Sequence, residues 1–280
     1  MIDFSSIGDV ISKTNDGKRF EFNMTQEEYQ QKRVDWYNES EGNLNEIDGY
    51  NCDLCKNKGY IARLDNNGNE VHRECKCQKI RATLRRARKS GLGDIITEYT
   101  FAKFEATEDW QKQIKQLAQA FCADDKAKWF YIGGAVGSGK SHLCTAIAAH
   151  YIKAGKDVKY MIWAEEAKRL KSLVNDLSYQ DIISQYKNVD VLYIDDFLKV
   201  KYGESPTAAD INLAFEIINH RILSRESITI ISSEKLLEEL VDYDEATMSR
   251  IYQKAGKYKI GVTRGSGKNY RMRNMDAVQL

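Results

Sequence analysis

The sequence predicts an α/β fold built on a parallel sheet, and two observations lead to this prediction. Four short apolar runs occur between residues 129 and 233, and segments with helical periodicity separate them. Strands that are apolar throughout are typical of a parallel sheet covered by helices on both faces. A glycine-rich loop follows the first run and opens a helix. The predicted strands are WFYIGG (129–134), VKYMIW (158–163), VLYIDD (191–196) and ITIISS (228–233).

Length and composition describe a globular protein of about two domains. The chain has 280 residues, of which 42% are apolar and 30% are charged, and its one proline is Pro206. These values exclude a collagen-like or proline-rich protein and argue against a disordered chain. With 42 Lys and Arg against 41 Asp and Glu, the net charge is +1. A surface that binds nucleic acid would therefore be a local patch.

The sequence gives no sign of membrane insertion or secretion. No apolar run approaches the ~18 residues of a membrane-spanning helix, and the segment MIDFSSIGDV has two aspartates where a signal peptide has basic residues. We therefore expect a cytoplasmic protein without a membrane partner. In a reducing compartment, clustered cysteines indicate a metal site before a disulfide.

Residues 1–90 are predicted to form a separate domain, followed by the α/β domain over residues 91–280. The first part is expected to contain a helix over 26–36, a hairpin within 51–78 and an amphipathic helix over 79–91. That last helix carries six positive charges and no acid from Lys79 to Lys89. It is either a contact for DNA or a partner, or a solvated surface. Residues expected to pack are Tyr29, Val34, Trp36, Ile80, Leu84, Ala87, Phe101, Phe104, Cys122 and Cys144.

Four of the six cysteines form two close pairs in the hairpin segment. Two residues separate Cys52 from Cys55, and one residue separates Cys75 from Cys77. Two pairs of soft ligands suit a tetrahedral Zn²⁺ site. His72 is a fifth candidate that could replace one cysteine of the second pair. A redox pair and reduced bystander thiols are the alternatives.

Residues 134–141 match a phosphate-binding loop. The segment GAVGSGKS has the pattern G-x-x-x-x-G-K-[ST] between a predicted strand and a predicted helix, which is the context that the pattern requires. Lys140 is expected at the β and γ oxygens of a nucleotide and Ser141 on Mg²⁺. A plain glycine-rich turn is the alternative. The cofactor-binding candidates are Gly134, Gly137, Ser138, Gly139, Lys140, Ser141 and His142.

Two acids end the third predicted strand. Asp195 is expected to hold Mg²⁺, and Asp196 to orient or polarise the attacking water. An acidic turn after a strand is the alternative. The acids and the phosphate loop together predict a nucleotide-binding protein, but they do not distinguish an ATPase from a small-molecule kinase.

Later polar residues are candidates for contacts with the γ-phosphate. Ser232, Ser233 and Glu234 follow the apolar part of the fourth strand, and Arg250 and Arg271 occur nearer the carboxyl terminus. An arginine supplied to a γ-phosphate accelerates hydrolysis by roughly 10³–10⁵. Taken alone, each arginine is better explained as a surface residue.

The order of these motifs resembles the AAA+ ATPases. Within them it is most similar to the DnaC/DnaI-type bacterial and phage replicative helicase loaders, with the IstB-like transposition ATPases as relatives. The resemblance covers about residues 90–273, and the C-x₂-C-x₃-G-Y pattern that begins at Cys52 also resembles the zinc-binding region of DnaI-type loaders. It rests on the phosphate loop with His142 and Leu143, YIDDF (193–197), ITIISSE (228–234), SRI (249–251) and NYR (269–271).

This resemblance implies an ATPase that loads a hexameric replicative helicase onto single-stranded DNA, with ATP, Mg²⁺ and Zn²⁺ as cofactors. The amino-terminal domain would bind the helicase, and the ATP-bound subunits would self-associate. Arg250 would then act on the neighbouring subunit's nucleotide, and Arg271 would act as a sensor on its own. The resemblance also implies a DNA channel lined by Lys168, Arg169 and Lys171, the alternative being a solvated face with a Glu165–Arg169 pair.

The sequence departs from the family pattern at three points. In this family the first-sensor segment usually ends in asparagine, whereas this chain has Glu234 there. We therefore assign the sensor role to Ser233. The second acid is Asp196 rather than glutamate, which predicts slow hydrolysis. Only 46 residues follow Glu234, too few for a complete helical lid. An IstB-like transposition ATPase, which the cysteine module disfavours, and a phosphate-loop kinase or nucleotidase remain the alternatives.

Overall fold

The structure, a computed structural model, describes residues 25–201, 203–265 and 268–272. The chain divides into two compact units after Arg81. The boundary predicted from the sequence lies nine residues later, at residue 90, where the helix that contains this division ends. Among the residues described, no helix has both the length and the apolar composition needed to cross a bilayer.

The first unit is a small hairpin with helices. Its strands pair antiparallel, with Tyr60 opposite Glu74. A capping box at Thr25 begins the first helix, which docks on the hairpin because the Asn38 amide makes two hydrogen bonds to the backbone of Ala62. The elements are α1 (Gln26–Glu39), α2 (Leu44–Asp48), β1 (Tyr60–Leu64), β2 (Glu70–Glu74) and the start of α3 (Cys77–Ser90).

Two of the three residues of α1 that were predicted to pack are exposed, so the prediction is wrong for them. Val34 is buried, but Trp36 is 71% exposed and Tyr29 is 50% exposed. The helix is polar on most of its surface, and the five-residue strands of the hairpin cover only the side that carries Val34. Ile80 on α3 is also exposed, at 43%.

The second unit contains a five-stranded parallel sheet, as the sequence predicts, in the order β4-β5-β6-β3-β7. Four strands match the predicted runs, and β7 at one edge was not predicted. The strands are β3 (Trp129–Gly134), β4 (Val158–Ile162), β5 (Val191–Asp195), β6 (Ile228–Ser233) and β7 (Lys259–Val262). The helices are α4 (Ile95–Glu98), α5 (Asp109–Ala123), α6 (Lys140–Lys153), α7 (Trp163–Ser172), α8 (Tyr179–Asn188), α9 (Ala208–Leu223), α10 (Leu237–Val241) and α11 (Glu245–Ala255), with 3₁₀ turns at Gly256–Tyr258 and Tyr270–Met272.

Two apolar clusters sandwich the sheet. One contains Phe104 and Cys144, which the sequence predicts to be buried. The other includes side chains of α10 and α11, such as Leu240 and Ile251. After Glu234, α10 and α11 therefore pack against the sheet and β7 joins it, and among the described residues they form no separate helical lid.

Arg221 on α9 is a buried cation that joins α8, α9 and β6. It is fully buried, and its guanidinium donates to the carbonyls of Tyr186, Lys187, Val189 and Ile228 and to the Thr229 hydroxyl. Burial lowers its pKa to about 10. These contacts satisfy carbonyls at the end of α8 that would otherwise lack donors, and they fix the segment that leads into β5.

Candidate functional site

The phosphate loop lies at the carboxyl end of β3, the strand between β6 and β7. Gly137 and Gly139 have φ angles of +71° and +88°, which are accessible mainly to glycine. A Cβ on Gly139 would lie 2.5 Å from the Phe104 ring, so close packing also requires glycine there. The Ser138 hydroxyl donates to the Ala135 carbonyl and holds the turn.

Lys140 is buried against this loop. Its Nζ donates to the carbonyls of Gly134 (3.0 Å) and Ala135 (2.7 Å). Burial lowers the pKa of Lys140, and the nearby carboxylates of Asp196 and Glu234 oppose that shift. The ammonium group thus lies within the loop, where its charge can meet a phosphate.

Asp195 is the meeting point of four elements. Its carboxylate accepts hydrogen bonds from Ser141 Oγ (2.9 Å), from the Tyr160 hydroxyl (2.9 Å) and from the Ser232 hydroxyl. Burial and the adjacent Asp195 raise the pKa of Tyr160, so its hydroxyl remains a donor. The oxygens of Ser141 and Asp195 are hard ligands of the kind Mg²⁺ prefers, and they would hold that ion beside the phosphates.

Asp196 lies in a turn with a left-handed backbone conformation. Its φ is +54°, a left-handed conformation rare outside glycine. Its carboxylate lies 2.8 Å from Lys199 Nζ, and Glu234 lies 2.8 Å from the same nitrogen. Burial alone would lower the pKa of Lys199, but its hydrogen bonds to the two carboxylates outweigh burial and raise it.

One cavity brings most of the predicted nucleotide residues together. It contains Arg271, and the backbone N–H of Tyr270 donates to the Gly137 carbonyl, which ties this segment to the loop. Ser233 is not part of the lining: its hydroxyl donates to the Phe197 carbonyl, and Glu234 faces the cavity instead. The lining residues are Tyr99, Lys103, Phe104, Glu105, Gln111, Val136, Gly137, Ser138, Gly139, Lys140, Ser141, His142, Asp196, Lys199, Glu234, Tyr270 and Arg271.

His142 forms part of an aromatic wall of this cavity. Its Nε2 donates to the Thr100 carbonyl (2.7 Å), and its ring stacks on Tyr99 at 4.9 Å and meets the edge of Phe104. Burial lowers the pKa of His142 and favours the neutral ring. A flat apolar wall next to a phosphate loop suits a nucleotide base.

The remaining predicted residues lie outside the cavity. Arg250 on α11 donates to Asn219 and lies over the Phe215 ring. On α7, Lys168 is exposed, but Arg169 pairs with Glu166 (3.3 Å) rather than the expected Glu165, and Lys171 pairs with Asp210 (2.5 Å).

The four clustered cysteines meet in the first unit. All four Sγ atoms lie within 4.8 Å of one another, with Cys52–Cys75 at 3.8 Å and Cys55–Cys77 at 3.6 Å. Zn–S bonds of about 2.3 Å in a tetrahedron place sulfur atoms about 3.8 Å apart, so the donor set fits Zn²⁺. His72 lies outside the cluster and contacts Glu70.

Two groups beside the cluster donate hydrogen bonds to its sulfur atoms. Burial alone would raise the pKa of the Cys55 thiol, but the N–H of Gly59 and the neighbouring thiols lower it to about 7. Arg81, expected on the basic surface of α3, is instead fully buried. It pairs with Asp48 and hydrogen-bonds Cys77.

Sequence reasoning missed Tyr160 and Lys199 as site residues, and it expected Ser232 near the γ-phosphate rather than on Asp195. Tyr160 and Ser232 lie within predicted strands, and only the order of those strands in the sheet brings them to Asp195. Lys199 could have been predicted from the sequence, since it follows the two acids within one turn.

Comparison with known proteins assigns the chain to a family. A model of the IstB-like ATP binding protein family matches residues 56–274, well over half of the chain. The chain belongs to this family of AAA+ ATPases. The matched segment contains Cys75 and Cys77 and begins just after Cys55. Membership of the IstB-like family favours an AAA+ ATPase over a phosphate-loop kinase.

Several relatives are similar to this IstB-like chain. The phage-like element PBSX protein XkdC of Bacillus subtilis (strain 168) is 32% identical over 225 residues, 75% of this chain and 82% of that protein. The replicative helicase loader DnaC of Buchnera aphidicola subsp. Schizaphis graminum (strain Sg) is 24% identical over 131 residues, 45% of this chain and 52% of that protein. A crystal structure of a DNA replication initiation factor, 19% identical, has a TM-score of 0.50 over 65% of this chain and 54% of that chain, and shares the fold.

Proposed function

We propose that this protein hydrolyses ATP and loads a hexameric replicative helicase onto single-stranded DNA. The observation that carries the proposal is the presence, in one chain, of an AAA+ nucleotide site and a separate small cysteine unit with exposed aromatic residues. A relative named as a replicative helicase loader adds support. The cytoplasm is the compartment where this activity is needed.

The nucleotide site supports ATP hydrolysis. Lys140 would compensate phosphate charge, Ser141 and Asp195 would hold Mg²⁺, and Asp196 would orient water. Bound Mg²⁺ would neutralise phosphate charge. Arg271, which lines the same cavity, would sense the γ-phosphate in its own subunit.

Substitutions at Lys140 and Asp196 should have separable effects. Lys140→Ala removes a charge-assisted contact and should lower ATP affinity roughly 10- to 100-fold. Asp196→Asn should keep ATP affinity and lower kcat about 100-fold or more, because only water activation is lost. Calorimetric titration and steady-state turnover measure the two effects. Equal loss of ATP affinity in both variants would contradict the assigned roles.

Arg250 is proposed to act on the nucleotide of a neighbouring subunit in an ATP-driven oligomer. It is exposed on α11 and does not line the cavity of its own chain, which agrees with a role in trans. Its contacts with Asn219 and Phe215 hold the side chain in place without burying its charge.

Mixing two inactive variants tests the role in trans. Arg250→Ala should bind ATP normally and turn it over poorly, and Lys140→Ala should turn it over poorly because its affinity for ATP is lowered. Mixed oligomers restore interfaces that combine an intact site with an intact arginine, so turnover should reappear on mixing. Lys254→Ala, on the same helix, is the control and should behave as wild type. No recovery at any ratio, under conditions where wild type assembles, would exclude the role.

The first unit is proposed to hold one structural Zn²⁺ through Cys52, Cys55, Cys75 and Cys77. The tetrahedral spacing of the sulfurs, the N–H donor at Cys55 and the buried Arg81 beside Cys77 support this proposal. Structural zinc contributes on the order of 10–16 kcal/mol of apparent binding free energy in small domains, so the unit would depend on it.

Elemental analysis of protein purified without added metal should find about one zinc per chain. Cys77→Ser should lose the metal and the fold of the first unit, whereas Cys122→Ser, whose thiol lies outside the cluster, should keep both. An intact first unit without zinc would refute the metal site.

The surface proposed to bind the helicase lies on α1. Tyr29 and Trp36 are both exposed and are seven residues apart, which places them on one face of the helix. Exposed aromatic residues on a unit too small for an enzymatic pocket suit recognition of another protein. DNA would lie along α7, chiefly at Lys168, because Arg169 and Lys171 already pair with acids.

Capture of the purified replicative helicase from the same genome tests this assignment. The full chain with Trp36→Gln should bind the helicase at least about tenfold more weakly, because a buried aromatic anchor is typically worth 2 kcal/mol or more. Leu177→Gln, which changes a side chain 99% exposed on the second unit, should bind normally. Equal capture by both variants would place the helicase contact elsewhere.

A DNA-remodelling ATPase that assists transposition is the second candidate. The match to the IstB-like family favours it. The cysteine unit disfavours it, because its first pair lies outside the matched segment. Failure of the protein to bind any helicase, together with binding of a transposase, would favour this alternative.

A further inference from the structure

Glu234 presents an electrostatic problem at the proposed ATP site. It lines the nucleotide cavity together with Asp196, so two carboxylates face the space where phosphates would lie. Like charges near a polyphosphate repel it and each other. Some group must offset this charge if Asp196 is to work next to an ATP γ-phosphate.

Lys199 is that group in the structure. Its Nζ lies 2.8 Å from Asp196 Oδ2 and 2.8 Å from Glu234 Oε1, so one ammonium joins both carboxylates. The side chains of all three residues are 30–39% exposed. Ion pairs this exposed contribute little to stability. The arrangement is therefore better explained by the cavity it faces than by folding.

The turn that carries Lys199 is firmly attached to the sheet. The N–H of Phe197 donates to the Ser232 carbonyl (2.8 Å), and the Phe197 carbonyl accepts from the Ser233 hydroxyl (3.0 Å). Phe197 and Leu198 are each 1% exposed. Because β6 and the core hold this turn, the backbone of Lys199 has a fixed position beside both acids.

We propose that Lys199 is a positioning residue for ATP hydrolysis, which holds Asp196 toward the γ-phosphate and joins it to Glu234. Glu234 then acts on the site through Lys199. This also explains why an acid can occupy a sensor position that usually ends in asparagine: Lys199 offsets one of the two carboxylate charges, so the three groups together carry −1, as Asp196 alone would. The inference rests on the proposed ATPase function.

Three single variants of the full-length protein test this inference. Lys199→Met removes the charge and keeps the length of the side chain, Lys199→Arg keeps the charge, and Lys201→Met is the matched control in the same loop. Lys201 is exposed and forms no ion pair among the described residues. For each protein, kcat and the affinity for a non-hydrolysable ATP analogue are measured.

Lys199→Met should lower kcat about tenfold or more, because a misplaced group next to the reacting atoms costs rate. Its affinity for the analogue should stay within about threefold of wild type, since Lys199 acts through the carboxylates rather than on the nucleotide. Lys199→Arg should recover most of the lost turnover, and Lys201→Met should match wild type.

Unchanged or raised turnover in Lys199→Met would overturn the positioning role. So would a loss of analogue affinity large enough to account for the loss of turnover, because Lys199 would then be a phosphate ligand. Failure of arginine to restore turnover would also count against it. Wild-type protein that binds the analogue and hydrolyses no ATP would overturn the proposed ATPase itself, a result distinct from a defect confined to Lys199→Met.

Discussion

The proposed ATP site depends on the carboxylate of Asp195. Hydrogen bonds from Ser141, Tyr160 and Ser232 bring the start of α6, strand β4 and the end of β6 to one side chain at the end of β5. This convergence requires β5 to lie between β4 and β6, which the parallel pairing provides. A carboxylate with three hydroxyl donors has its charge well satisfied. Its position then fixes the adjacent turn, and so the placement of Asp196 and Lys199.

The phosphate loop, the paired acids and the cysteine pairs were predictable because each lies within a short, local sequence pattern. The partners of Asp195 were not, since Tyr160 and Ser232 become its neighbours only through the strand order. Strand β7 was missed because four residues, KIGV, give too short an apolar run to distinguish from a loop. Glu234 lines the cavity and Ser233 does not, because adjacent side chains along an extended chain point to opposite sides.

In the first unit, residue type alone predicts burial incorrectly. Trp36 and Tyr29 are apolar enough to be expected in a core, but a hairpin of five-residue strands has no surface left to cover them. Arg81 belongs to a basic run and is buried, because Asp48, far earlier in the chain, supplies its counter-charge. Both errors concern a unit whose stability would come mainly from the cysteine cluster rather than from apolar burial.

The most direct measurement is a crystal structure with Mg²⁺ and a non-hydrolysable ATP analogue. The account predicts that the phosphates lie against the loop 134–141, that the Ser141 hydroxyl and Asp195 hold the metal, and that the base lies beside His142. A nucleotide bound elsewhere, or a metal distant from Asp195, would contradict the assignment of this cavity as the ATP site.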